Sequence, residues 1–327
     1  MRGLEHIHDN NLAEAIARTG KSDVGEIQEL NARRLGIRSL KGIEQLSNLR
    51  KLHLGHNKIG DIAPLCSLEK LTGLFLEKNN IDDISPLGKL KKLPALDLHG
   101  NQVTDLSPLT SEHKITWLNL SENAITDIAP LRSCSFLTNL NVSGNNLVHL
   151  SPLTSHPRLR TLEAADNEFG PVVEFAVCYR LRTLNLSRNA IEQIHFQNTL
   201  DCLHSLDLSG NTISNTKFLQ NTPNLSTLNL SENPIPSVPS DIFSLERLRV
   251  LYLWHTGIES LQGVERLIVL EELGVADNRL SDVSTLSKLN KLKLLFLGGN
   301  FNIPESQLNV LESMDMEDFR RPDWKEQ

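Results

Sequence analysis

The sequence predicts an α/β solenoid: a right-handed horseshoe with a parallel β-sheet on its concave side, short 3₁₀ or irregular segments on its convex side, and a helical cap at each end. Three observations predict it. A leucine pattern recurs every 22 residues, each recurrence contains an apolar–polar alternation of strand type, and an asparagine returns at one fixed place in the unit. Self-similarity at such a period marks stacked repeats, in which no unit buries its apolar face alone.

The pattern Leu49-Leu52-Leu54-Asn57-Ile59-Ile62 returns as Leu71-Leu74-Leu76-Asn79-Ile81-Ile84, then as Leu93-Leu96-Leu98-Asn101-Val103-Leu106. The first residue of the unit falls at positions 27, 49, 71, 93, 115, 137, 159, 181, 203, 225, 248, 270 and 292, so every interval is 22 residues except one of 23. Within each unit the LxL piece alternates as a half-buried strand does, and successive strands stack in parallel about 4.8 Å apart. The asparagine nine places into the unit stands where the chain leaves the strand, and its amide can bond backbone groups of neighbouring turns. It recurs from Asn57 to Asn300, with Leu35 and Thr256 in its place in two units.

The back of the early units reads DIxPL, at Asp61–Leu65, Asp83–Leu87, Asp105–Leu109 and Asp127–Leu131. Proline fixes φ at the start of a tight turn or short 3₁₀ segment. Pro171-Val172-Val173, Ile194-His195-Phe196 and Thr216-Lys217-Phe218 break that pattern, and the longer unit, Pro236 to Phe243, is expected to carry a longer helical turn. The caps are placed at 1–23 and 304–327, the repeats at 24–303. Asn11 is read as the start of the first cap helix, with Glu14 as its capping-box partner, Leu12 and Ile16 on its buried face and Gly20 at its end. Pro304 opens the second, with Leu308, Leu311 and Met314 as its apolar face. The tail EDFRRPDWKEQ is expected to fray, although Trp324 is an odd residue to leave exposed.

These residues resemble the leucine-rich repeat family, in its 22-residue subclass, to which internalin-type bacterial proteins and the regulatory repeat subunit of type-1 protein phosphatase belong. Residues 10–48 resemble the internalin-type cap and first turn more specifically. The resemblance implies a recognition scaffold.

Composition bounds the function. The chain has 327 residues, 39% hydrophobic and 22% charged, an ordinary globular balance. Length alone suggests about two domains, but solenoids grow without dividing. The net charge of −7 argues against a nucleic-acid partner. No apolar run reaches the roughly 18 residues of a membrane span, and the N-terminus has no secretory h-region. Cys66, Cys134, Cys178 and Cys202 show neither CxxC spacing nor a dense framework. Cys134 and Cys178 stand where other units put leucine, and buried reduced thiols are expected, with a Cys178–Cys202 bridge as the weaker alternative. The expected location is cytoplasmic; secretion by a non-Sec route, or loss of a leader, is the alternative. No metal or other cofactor is expected, because the histidines form no HxxxH or HExxH arrangement. The Asn-Leu-Ser triplets at Asn119, Asn185 and Asn229 are by-products of the repeat.

The residues facing out of the sheet carry the functional reading. Two clusters emerge: His53, Phe75, His99 and Trp117; then Val250, Tyr252, Trp254, His255, Leu294 and Phe296. A polar strip of Asn119, Asn141, Glu163, Asn185, Asp207 and Asn229 runs between them, and Asp97 and Glu77 lie beside the first cluster. Trp and Tyr are frequent interface anchors, and large apolar groups facing water usually have a use. The competing reading is that the rings only stiffen the sheet. Gly274, between Tyr252 and Phe296 in one column, is expected to leave a notch for a partner side chain, with Trp254 facing solvent beside it. Arg33, Arg34, Arg50 and Lys51 form a basic patch for solvent or an acidic partner.

The leading expectation is a non-catalytic module that grips another protein on its concave face through His53, Phe75, Asp97, His99, Trp117, Asn119, Glu163, Asp207, Tyr252, Trp254 and Phe296. Within that class the alternatives are an intracellular adaptor, an internalin-like surface or delivered protein that binds a host protein, and a phosphatase regulator; a homodimer is also left open. Enzyme activity is disfavoured: there is no GxSxG, P-loop or GxGxxG. Asp97 and Glu163 stand three strands apart, about 14 Å, too far for a carboxylate pair.

Overall fold

The computed structural model describes residues 2–109, 113–154 and 156–322, in two compact units spanning 1–163 and 164–327. The first unit carries seven parallel strands of three residues each: β1 (Glu29–Asn31), β2 (Lys51–His53), β3 (Gly73–Phe75), β4 (Ala95–Asp97), β5 (Trp117–Asn119), β6 (Asn139–Asn141) and β7 (Thr161–Glu163). They pair in sequence order and in strict register, Leu30 against Leu52, Leu74, Leu96, Leu118, Leu140 and Leu162. That column is buried, as are the leucines of the outer positions, so each turn stacks its apolar side chains on the next.

The second unit continues the pattern and adds to it. Its strands are β8 (Val172–Phe175), β9 (Thr183–Asn185), β10 (Gln193–Phe196), β11 (Ser205–Asp207), β12 (Thr227–Asn229), β13 (Val250–Tyr252), β14 (Glu272–Gly274), β15 (Leu294–Phe296) and β16 (Asp318–Arg320). From β9 through β11 to β16 they form one parallel ladder. β8 and β10 pair with each other instead, as a second two-stranded sheet at the back of the turns. The segments that break the proline pattern therefore form strands, with Val173 and Phe175, Ile194 and Phe196 turned into the core. Thr216-Lys217-Phe218 enters a 3₁₀ helix, Lys217–Asn221, without proline.

Three of the four segments read as DIxPL form 3₁₀ helices as expected, at Ala63–Ser67, Ser85–Lys89 and Ala129–Ser133, with proline in the first turn, whereas Asp105–Leu109, with Leu106 in place of isoleucine, makes only a turn at Ser107 and Pro108. The aspartate has a role too: Asp61, Asp83 and Asp127 accept the N–H two residues on, at 2.7–2.8 Å, and turn the chain into the helix. The longer unit corrects the expectation of a longer helical turn. Its 3₁₀ helix, Ser240–Ser244, has five residues like the others, and the extra residue is taken up ahead of extended Pro239.

The asparagines form a ladder. Asn57 donates from Nδ2 to the carbonyls of Ala32 (2.8 Å) and Leu54 (2.7 Å) and accepts from the N–H groups of Leu35 and Ile37 (both 3.0 Å). The two donated bonds and one accepted N–H recur in other units, for example at Asn79, which accepts from Ile59, and at Asn211, which accepts from Ile191. Where Thr256 stands instead, its hydroxyl meets the Leu253 carbonyl, and Asn278 of the next turn accepts the N–H groups of Thr256, Gly257 and Ile258.

Both ends differ in detail from expectation. The first helix, α1 (Asn10–Ala17), buries Leu12, Ala15 and Ile16, but its cap is Asp9, not Asn11. Asp9 Oδ1 accepts the N–H groups of Asn11 and Leu12, while Oδ2 accepts those of Arg38 and Ser39. Glu14 pairs with Arg18 rather than closing a capping box. The second helix, α2 (Glu305–Glu312), follows Pro304 and buries Leu308 and Leu311. The tail beyond it adds β16 to the edge of β15, and Arg321 pairs with Glu305 and Glu312, so residues 318–321 are held in place. Trp324 lies outside the described residues.

Candidate functional site

In the first unit the outward face of the sheet presents a row of rings. His53 on β2 stacks on Phe75 of β3, with centroids 4.5 Å apart and planes 3° from parallel. Phe75 in turn meets Trp117 of β5 at 6.4 Å and 48°. Phe75 and Trp117 sit two strands apart, and small residues let them meet. A Cβ on Gly73 would come 3.0 Å from the Phe75 ring, and Ala95 is the residue paired with Trp117 on the strand between. Trp117 is 37% exposed, one of few large apolar side chains so open to solvent among the described residues.

Charge borders this row. Glu77 is buried and bonded to Arg33, two turns away, and its Oε2 has no hydrogen-bond partner. Arg33 is thereby committed to Glu77, which removes it from the basic patch read in the sequence. Burial holds the Asp97 carboxyl above the usual carboxylate range, with a further push from Glu77 against the N–H of His99 that Asp97 accepts at 3.0 Å. No Lys or Arg pairs with Asp97 among the described residues. His99 meets Ser121 Oγ through Nδ1 (2.9 Å) and faces Glu122 at 3.8 Å.

The polar strip is largely engaged with its own backbone. Asn119, Asn141, Asn185, Asp207 and Asn229 each accept the N–H of the residue two positions on, the Asx arrangement that ends the strand. Asn229 also donates to Asp207 at 3.1 Å. Glu163 is half-buried at the end of β7.

The rings of the second unit are brought together as expected, but the notch is not there. Trp254 packs edge-on against Tyr252 (5.5 Å, 65°) and Phe296 (6.1 Å, 66°). Its ring lies over Gly274, where a Cβ would come 1.8 Å from Nε1 and 2.7 Å from Tyr252 Cδ1. The space that glycine leaves is filled by the protein's own indole, whose Nε1 is buried without an acceptor. The Tyr252 hydroxyl donates to the Glu272 carboxylate, and burial together with that carboxylate raises its pKa. Trp254 is thus half-buried and packed, not a solvent-facing anchor.

Among the described residues no three His, Cys, Asp or Glu side chains group to hold a metal ion. No helix is long and apolar enough to cross a membrane. Cys134 and Cys178 are buried, and burial pushes the Cys134 thiol up to about 11.

Leucine-rich repeat models match residues 45–62, 69–111, 200–216 and 224–245. An internalin, InlF, from Listeria monocytogenes is 28% identical, with a TM-score of 0.75 over 98% of this chain and 98% of that one. The chain thus carries leucine-rich repeats, and they resemble the internalin type. The functional domain of InlJ from the same species superposes with a TM-score of 0.75 at 21% identity, covering 96% of this chain and 74% of that one. A leucine-rich repeat protein of Leptospira interrogans gives 0.62 at 21%, over 94% and 98%. The last two share the fold. No curated protein matches the sequence.

Proposed function

We propose that this leucine-rich repeat protein is a non-catalytic recognition scaffold, and that it takes a partner protein on the outward face of its first-unit strands. The observation that carries this is the His53–Phe75–Trp117 row, which ends in an exposed indole beside a carboxyl with no Lys or Arg of its own, Asp97. An exposed Trp over a rigid ring stack is the kind of group that anchors protein interfaces. Asp97 suits a Lys or Arg of the partner placed next to an apolar residue. The Tyr252–Trp254–Phe296 cluster is assigned to packing.

The match to InlF over nearly the whole of both chains favours an internalin-like role, in which the partner belongs to a host cell. Immobilised protein offered a host-cell extract and an extract of its own source cells, beside a Trp117→Ala variant, tests both statements. A protein retained by the wild type and lost by the variant is expected from the host extract. Retention by both forms alike would place the interface elsewhere.

A further inference from the structure

At the back of the second unit, β10 has one partner strand and one open edge. Gln193 and Gln197 donate their N–H groups to the Pro171 and Phe175 carbonyls on the β8 side, both at 3.0 Å. In a parallel ladder alternate residues bond to opposite sides, so Ile194 and Phe196 direct their N–H and C=O groups away from β8. Nothing among the described residues bonds to them. The next turn supplies a 3₁₀ helix here, Lys217–Asn221, instead of a third strand. The backbone bonds between these two turns lie outside the gap, where Leu200 N–H donates to Asn221 O (2.8 Å) and Thr212 N–H to Ile191 O (3.0 Å).

Between those ties lies a cavity of ≈ 270 Å³, bordered by β10 and by Asn215, Lys217, Phe218 and Asn221. That is just under the roughly 300–1,000 Å³ of drug-sized pockets, room for a short stretch of extended chain. Its apolar wall is Phe196 against Phe218, at 6.2 Å and 71°. Its ionisable lining groups are His195 and Lys217, and neither has a carboxylate partner among the described residues. Glu174 stands opposite His195 in register on β8 but does not line the cavity.

We propose that this edge and cavity capture a short extended peptide bearing an acidic side chain, added as a third strand on β10. Two N–H and two C=O groups supply the ladder, the Phe196–Phe218 wall takes an apolar side chain, and Lys217 with His195 takes the acid. Strand addition of this kind draws affinity from the main chain and specificity from alternate side chains. The site lies on residues separate from the His53–Phe75–Trp117 row.

A phage library of random linear eight-residue peptides, selected on the full chain, tests it. The enriched peptides are expected to carry Asp or Glu, to slow hydrogen exchange over residues 193–197, and to lose affinity when N-methylated at alternate positions. Lys217→Glu should weaken them about tenfold, and Lys217→Arg should retain them. Peptides that bind without slowing exchange there, or bind Lys217→Glu unchanged, overturn the assignment. So does a selection that enriches nothing. Concentration-dependent protection of residues 193–197 without peptide would give the edge to a second copy of the chain, and would overturn it as well.

Discussion

Asp9 shows how much one side chain can organise. One carboxylate caps α1 and ties it to the backbone of residues 38 and 39. Removal of such a cap usually costs about 0.5–2 kcal/mol, and Asp9→Ala is expected to lose the upper part of that range in a chemical melt because both ends of the link go. Burial works against the ionised form, but four N–H groups outweigh it and hold the Asp9 pKa below its ordinary 3.8. A depressed folded-state pKa stabilises above the unfolded value and loses that stabilisation as pH falls through the folded one. Wild type should therefore lose more stability than Asp9→Ala when pH drops below about 4. Gly274 is the second such position. Gly274→Ala should push the Trp254 indole off the strand, with a red shift of tryptophan emission and a loss of about 1–3 kcal/mol. Unchanged emission and stability would mean that the ring has room to spare. Sequence alone placed Tyr252, Gly274 and Phe296 in one column, with Trp254 two residues on from Tyr252, since column adjacency follows from the period. The rotamer that lays the indole over the glycine does not follow from it, so a filled contact looked like an open notch. Asp9 was missed for another reason: the helix start was sought at Asn11, immediately before the first apolar residue, Leu12, and Asp9 lies two residues ahead of Asn11.

At the scale of the element, the thirteen repeat strands were legible because period two inside the unit and 22 between units specify the same register twice over. β8 and β10 were not. Val172-Val173-Glu174-Phe175 and Gln193-Ile194-His195-Phe196 stand where other units carry DIxPL, so they looked like failed 3₁₀ starts. The usable signal was the apolar alternation at 173 and 175, and again at 194 and 196, in two consecutive turns. β16 was hidden because Asp318-Phe319-Arg320 has no leucine pattern and is held by pairing with β15 and by Arg321. The asparagine ladder was legible, and its energetics can be checked. Asn211 is 5% exposed and makes bonds of 2.9–3.0 Å to Leu186, Leu208 and Ile191. Asn211→Ala leaves buried backbone groups unpaired, at about 1–3 kcal/mol for each one that water cannot reach. A loss of at least 2 kcal/mol is expected, with faster hydrogen exchange at Ile191. A loss under 0.5 kcal/mol would show that water replaces the amide.

For the whole molecule, stability in a stack of repeats is carried by each turn and its contact with the next, and an uncovered end exposes core. Deletion of residues 1–23 removes Leu12, Ala15 and Ile16, all buried against the first turns. The shortened chain is expected to melt at lower temperature and to associate, as sedimentation would show; a monomer with an unchanged melting temperature would contradict the capping role. The same outlook applies to function. The sequence located both aromatic clusters but could not rank them, because exposure depends on which small neighbours let a ring lie down. Gly73 and Ala95 let Phe75 meet Trp117 and leave the indole open, whereas Gly274 lets Trp254 close over the neighbouring strand. The most direct test of the recognition role is the dissociation constant of the captured partner for Trp117→Ala against wild type. An anchor of this kind is worth about 2 kcal/mol, so affinity should fall roughly thirtyfold. An unchanged dissociation constant would contradict the placement of the interface on this face.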